Sequence, residues 1–160
     1  VLRGNILSRL ARHEEALAEY DRAIALDIDD QTSAQTFRGD TLAKLGRNDE
    51  ALKAYDAAIE YQSSMACHAH RGRGHLLLFV GRAEDALRAF DRIVADKEDE
   101  PEDHYMRWRI LLRMERNAEA AEAREELEIA LDARGGSLAE FLATLCDDPR
   151  FDASETLPDG

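Results

Sequence analysis

The chain has 160 residues, a net charge of −13, and 44% hydrophobic against 34% charged residues. Such an excess of acid repels a phosphate backbone, so no nucleic-acid partner is expected without a local basic stripe. The apolar run at residues 76–80 falls well short of the roughly 18 residues needed for a membrane span. Cys67 and Cys146 stand too far apart to suggest a disulfide framework, which points to a reducing, cytoplasmic setting. Val1 opens the chain inside what reads as a helix, without an initiating methionine, so the sequence reads as part of something longer.

From its first residues the chain repeats itself. Arg3-Gly4-Asn5-Ile6-Leu7 returns as Arg38-Gly39-Asp40-Thr41-Leu42 and again as Arg73-Gly74-His75-Leu76-Leu77, in steps of 35 residues. Glu15-Ala16-Leu17 with Tyr20-Asp21 returns as Glu50-Ala51-Leu52 with Tyr55-Asp56, then as Asp85-Ala86-Leu87 with Phe90-Asp91. Ala16, Leu17, Tyr20, Ala23 and Ile24 share one helical stripe, so each repeat is a helix pair that buries its apolar side only against a neighbour.

The spacing predicts helices near 1–10, 14–27, 32–45, 49–61, 64–80, 83–96, 101–114 and 117–133. Gly46 and Gly81 supply the left-handed residue that closes a first helix, and a short turn after it makes each pair antiparallel. Capping residues or a proline at 27–30, 63–64 and 98–101 mark the repeat boundaries. The array is expected over 1–133, in repeats of about 1–30, 31–63, 64–99 and 100–133. The fourth copy reads as degenerate, with Ala121 at the small-residue place, Glu125 at the aromatic place and Arg109 at the glycine place. A cap follows at 137–151, where Ser137 starts a short helix whose Leu138, Phe141, Leu142 and Leu145 cover the open end. A frayed tail at 152–160 completes the chain.

This layout resembles the tetratricopeptide repeat family in its common bacterial form. The resemblance rests on Gly4, Gly39 and Gly74, then Ala16, Ala51 and Ala86, then Tyr20, Tyr55 and Phe90, then Ala23 and Ala58. Ile93 departs from the later small residue, and the step of 35 departs from the usual period of about 34. The resemblance implies an all-α, right-handed solenoid of about four antiparallel helix pairs plus a capping helix. It further implies a non-enzymatic scaffold whose first helices line a concave groove for an extended peptide or a partner helix. A regulatory or docking module of a longer enzyme is the alternative.

Residues one repeat apart would form rows along that groove: Asn5, Asp40, His75 and Ile110; Thr36, Arg71 and Met106; Ser33, His68 and Asp103; Ser8, Ala43, Leu78 and Arg113. The expected groove residues are Asn5, Thr36, Asp40, His68, Arg71, His75, Leu78, Met106, Ile110 and Arg113. His68, Arg71 and His75 fall on one helix face at three- and four-residue steps, and Lys44, Arg9 and Arg113 flank them. A basic patch in an acidic protein suits a carboxylate or an acidic peptide stretch.

Other chemistry is not expected. Cys67 and His70 point away from His68 and His75 on a helix, which argues against a metal site, and His70 reads as packing against the preceding repeat. Gly72-Arg73-Gly74 imitates a phosphate loop but lies inside a helix with no strand before it. No nucleophile and base can be paired, and no cofactor is expected. Trp108 reads as a packing residue rather than an exposed anchor. Asp21 with Arg38 and Asp56 with Arg73 are placed to bridge successive repeats. Ile6, Leu7 and Leu10 would lack cover on the first helix, which raises self-association through the first repeat.

Overall fold

The computed structural model describes residues 1–26, 31–61, 66–96 and 100–146. The expected boundaries at 27–30 and 63–64, part of the one at 98–101, the end of the cap and the tail at 152–160 lie outside the described residues. Within them the protein is all-α, with nine helices and no strand. Two compact bodies divide the chain, Val1–Asp99 and Glu100–Gly160.

The first body is three helix pairs in series: α1 (Leu2–Arg9) with α2 (His13–Ala25), α3 (Gln31–Lys44) with α4 (Asn48–Glu60), and α5 (Ala66–Phe79) with α6 (Ala83–Ala95). Each helix packs on the next, and α3 also packs on α5. This is the neighbour-on-neighbour stacking that the repeated apolar stripe demands. The second body holds the pair α7 (Pro101–Arg113) and α8 (Asn117–Asp132), followed by α9 (Leu138–Cys146), which packs on α8.

One turn is built four times. Ala11, Gly46, Gly81 and Glu115 adopt positive φ of 57°, 72°, 79° and 56°. The next residue, always arginine, donates its backbone N–H to the carbonyl five residues back: Arg12 to Leu7, Arg47 to Leu42, Arg82 to Leu77 and Arg116 to Leu111. These bonds satisfy carbonyls that the helix end leaves open. The same arginines reach forward three residues to Glu15, Glu50, Asp85 and Glu119 in the first turn of the second helix. Three of these pairs, Arg12–Glu15, Arg47–Glu50 and Arg116–Glu119, use both guanidinium edges. In each the carboxylate is held below its usual range by its arginine.

The four turn arginines, Arg12, Arg47, Arg82 and Arg116, are spaced 35, 35 and then 34 residues. The last repeat is therefore one residue shorter, and the expected places in it shift. The small residue is Ala120, buried at 1% exposure, rather than Ala121. The aromatic place holds Arg124 rather than Glu125, and the glycine place holds Trp108 rather than Arg109. The bulk has changed helix: a large ring on the first helix now faces small residues on the second.

In the first body the ring stands on the second helix and the space on the first. A Cβ at Gly39 would come within 2.7 Å of the Tyr55 ring, and one at Gly72 within 2.8 Å of the same ring. Tyr55 is thus gripped by its own repeat and by the next one, which explains Gly72 of the helical Gly72-Arg73-Gly74 segment, while a Cβ at Gly74 would come within 2.8 Å of the Phe90 ring. Tyr20 meets Phe37 instead, with ring centroids 6.2 Å apart. The expected bridges are present: Arg38 Nε to Asp21 and Arg73 Nε to Asp56, each 2.7 Å. Being partly exposed, each contributes no more than about 1 kcal/mol.

In the second body Tyr105, Trp108, Leu111, Ala123, Leu127 and Leu131 are buried, so Trp108 is a packing residue. Asp103 accepts the backbone N–H of Glu100 at 2.9 Å in a reciprocal cap, with Pro101 at the first helical position. Ser137 and Glu140 cap α9 in the same reciprocal way, and Phe141 meets Tyr105 edge-on at 5.7 Å.

Candidate functional site

The row begun by Asn5, Asp40 and His75 is tied to the core from behind. Tyr20 donates its hydroxyl to Asn5 Oδ1 and Tyr55 to Asp40 Oδ1, both at 2.7 Å. The third repeat has Phe90, which lacks a hydroxyl, and there the His75 ring stands edge-on to it at 5.5 Å. Each row residue sits 15 positions before its ring, so sequence spacing holds the signal: acceptor with tyrosine, imidazole with phenylalanine. A side chain fixed from behind costs less entropy to engage from the front.

Burial shifts Asp40 and the two tyrosines behind the row. Asp40 is pushed above the usual aspartate range mainly by desolvation, against the opposing pull of the Tyr55 hydroxyl, Lys44 and His68. Tyr55 is raised by burial and then by the Asp40 charge. Tyr20 is raised to about 12 by burial, opposed by the Thr41 hydroxyl and aided by the Asp40 charge.

On α5, His68 and His75 are exposed and Arg71 and Leu78 half-buried, so the basic residues share one helix with a solvent-facing side. Thr36 is turned inward, its hydroxyl donating to the Thr32 carbonyl at 2.7 Å, and presents nothing to a groove. His70 is half-buried, its pKa lowered by desolvation and then by Arg92 of α6. Ala69 rather than His70 sits in the core shared with α4. Among the described residues no three His, Cys, Asp or Glu side chains converge as metal ligands.

The shortened last repeat moves the remaining row members. Met106 and Ile110, at 6% and 2% exposure, belong to the core of the second body. The equivalents of Arg71 and His75 are Tyr105 and Arg109, and the Arg109 guanidinium lies over the Tyr105 ring at 5.5 Å. Arg113 is exposed at the end of α7.

A separate groove of about 700 Å³ lies on the second body between α7 and α8. It is lined by the apolar Trp108, Leu112, Ala120 and Ala121 and by the charged Arg124, Glu125 and Glu128. Sequence reasoning missed it because the assumed step of 35 put the wrong residues on each face.

In the first body, helix pairs joined by one recurring turn, with a ring of each second helix packed on a glycine of the first, define helical repeats of the solenoid class. Residues 1–65 match the tetratricopeptide repeat family model, and the same packing of a ring on a glycine continues through α5 and α6. No curated protein matches the sequence significantly. Among solved structures the chain is similar to YrrB, described as a tetratricopeptide repeat protein with an unusual peptide-binding site. The identity is 22% and the TM-score 0.66, over 79% of this chain and 64% of that one. It is also similar to MamA from Desulfovibrio magneticus RS-1, at 19% identity and TM-score 0.65, covering 78% and 69% of the two chains. A tetratricopeptide repeat protein from Parabacteroides merdae aligns over 97% of this chain and 63% of its own, at 21% identity and TM-score 0.54. At these identities the likeness is one of fold. The chain spans less than two thirds of the length of YrrB. No helix among the described residues is long and apolar enough to cross a membrane.

Proposed function

We propose that the protein is a non-catalytic interaction module whose first-helix face in the first body receives an extended peptide with an acidic stretch. The observation that carries this reading is the row Asn5, Asp40 and His75, each braced by an aromatic ring of its own repeat. Bracing of this kind spends little entropy on capture. Beside the row, Arg71 adds positive charge suited to carboxylates and His68 a ring that can donate a hydrogen bond, and the peptide-binding site ascribed to YrrB lends support from a protein of the same fold. Asp40 sets the limit of the patch, since it repels an acidic residue placed directly opposite it.

Selection from a random peptide-display library tests the reading. Enriched peptides should carry Asp or Glu, and Arg71→Ala with His75→Ala should weaken their binding by about tenfold, or about 1.4 kcal/mol. Unchanged affinity in that double variant removes the assignment.

A further inference from the structure

The first helices of the first body end on Arg9, Lys44 and Phe79, in steps of 35 residues, and α7 of the second body ends on Arg113. A base suits that place. A helix C-terminus carries partial negative charge, so Arg9, Lys44 and Arg113 complement the dipoles of their helices. α5 breaks the pattern: its last turn is Leu76-Leu77-Leu78-Phe79, without a basic residue.

Phe79 does not offset that loss within the fold. Its ring is 80% exposed, more than any other large apolar side chain among the described residues, so it stabilises α5 neither by burial nor by charge. It stands one helical turn beyond His75 on the same helix face, with Leu78 half-buried and Val80 38% exposed beside it. An aromatic ring left in water where a cation would stabilise the helix is surface from which a ligand gains binding energy.

Lys44, exposed at the same place on α3, stands one turn beyond Asp40. Its charge favours the ionised form of that carboxylate, and an ammonium with three donors can take a second acid from the solvent side. α3 packs directly on α5, and the axes of packed helices lie about 8–10 Å apart. An extended chain rises about 3.3 Å per residue, so it crosses from Lys44 to Phe79 in about three residues.

We propose that the peptide received by the first-helix face carries an acidic residue for Lys44 and, about three positions along, a large apolar residue for the Phe79 ring. This assignment rests on the acidic-peptide reading of that face, and adds to it a second class of ligand side chain and its spacing. A ligand of acids alone leaves the Phe79 ring in water.

Selection of a random decapeptide display library on the immobilised 160-residue chain tests this, run in parallel on wild type, Phe79→Lys and Lys44→Ala. Peptides from wild type should pair Asp or Glu with Leu, Phe, Tyr or Trp at the expected spacing. Those from Phe79→Lys should keep acids and lose the apolar residue, and those from Lys44→Ala should lose the paired acid. A fluorescein-labelled peptide from the wild-type pool should bind Phe79→Ala about tenfold more weakly by anisotropy. Moving its apolar residue next to the acid should cost about as much against wild type, and nothing further against Phe79→Ala. Phe79→Lys should melt no lower than wild type, since it restores a base at the end of α5; a lower melt assigns the ring to the fold and overturns the proposal. Acidic peptides that bind wild type and Phe79→Ala equally overturn it while the acidic-peptide reading stands, and pools without enriched acids remove both. Sedimentation showing self-association that Phe79→Lys abolishes overturns it too, since the ring would then cover a second copy.

Discussion

The Tyr55 hydroxyl donates to Asp40 at 2.7 Å while the Tyr55 ring rests against Gly39 and Gly72 of two consecutive first helices. A single side chain thereby sets the spacing of two repeats and the orientation of one surface carboxylate. The first repeat solves the same problem without a charge, using Asn5 against Tyr20.

That comparison predicts the effect of Asp40→Asn. Burial raises the Asp40 pKa above its unfolded value, so the folded state binds the proton more tightly and is favoured by acid. The ionised carboxylate at neutral pH is a liability that an amide removes while still accepting the tyrosine hydroxyl. The variant should melt higher than wild type at pH 7, and the gap should close as the pH falls through the raised pKa toward the ordinary value of about 4. Thermal melts from pH 4 to 8 check this; a constant gap would contradict it.

Gly72→Ala should destabilise the chain by about 1–3 kcal/mol, because the added methyl meets a ring held on its far side by Gly39. Urea denaturation measures the loss. Tyr55→Leu in the same chain removes the ring contact, so the penalty of the alanine should shrink in that background.

The shared left-handed backbone of the four turns predicts opposite effects for removing and for adding a glycine. Gly46→Ala has open space for its methyl yet forces a left-handed alanine, and should cost about 1 kcal/mol. Ala11→Gly and Glu115→Gly relieve that strain and should each change stability by roughly 0.5 kcal/mol in the favourable direction.

Ile110→Ala should cost about 2–4 kcal/mol, as expected of a closed core, whereas Arg113→Ala on the exposed end of α7 should stay within about 0.5 kcal/mol of wild type. Equal effects would contradict the shortened last repeat.

The helix pairs were legible because Gly4, Gly39 and Gly74 and their rings recur without a change of step, and a repeated close approach leaves a repeated small residue. The inter-repeat bridges were legible for the same reason. The fourth repeat was not, because one missing residue turns a helix by about 100° and sends Met106 and Ile110 inward where a fixed step places them outward. Ala11 and Glu115 hid two of the four turns, since neither residue advertises a left-handed backbone. Thr36 was misplaced because its hydroxyl is satisfied within its own helix, a partner that spacing alone does not disclose. The tyrosine-to-acceptor pairing lay in plain view at a constant offset of 15, and reading each helix separately concealed it.

Tyr55 belongs to α4 by its bonds and to α5 by its contacts, so neither helix can open while the other stays protected. Amide exchange in α4 and α5 should therefore slow or quicken in step, as in a single foldon whose border runs through the middle of a repeat.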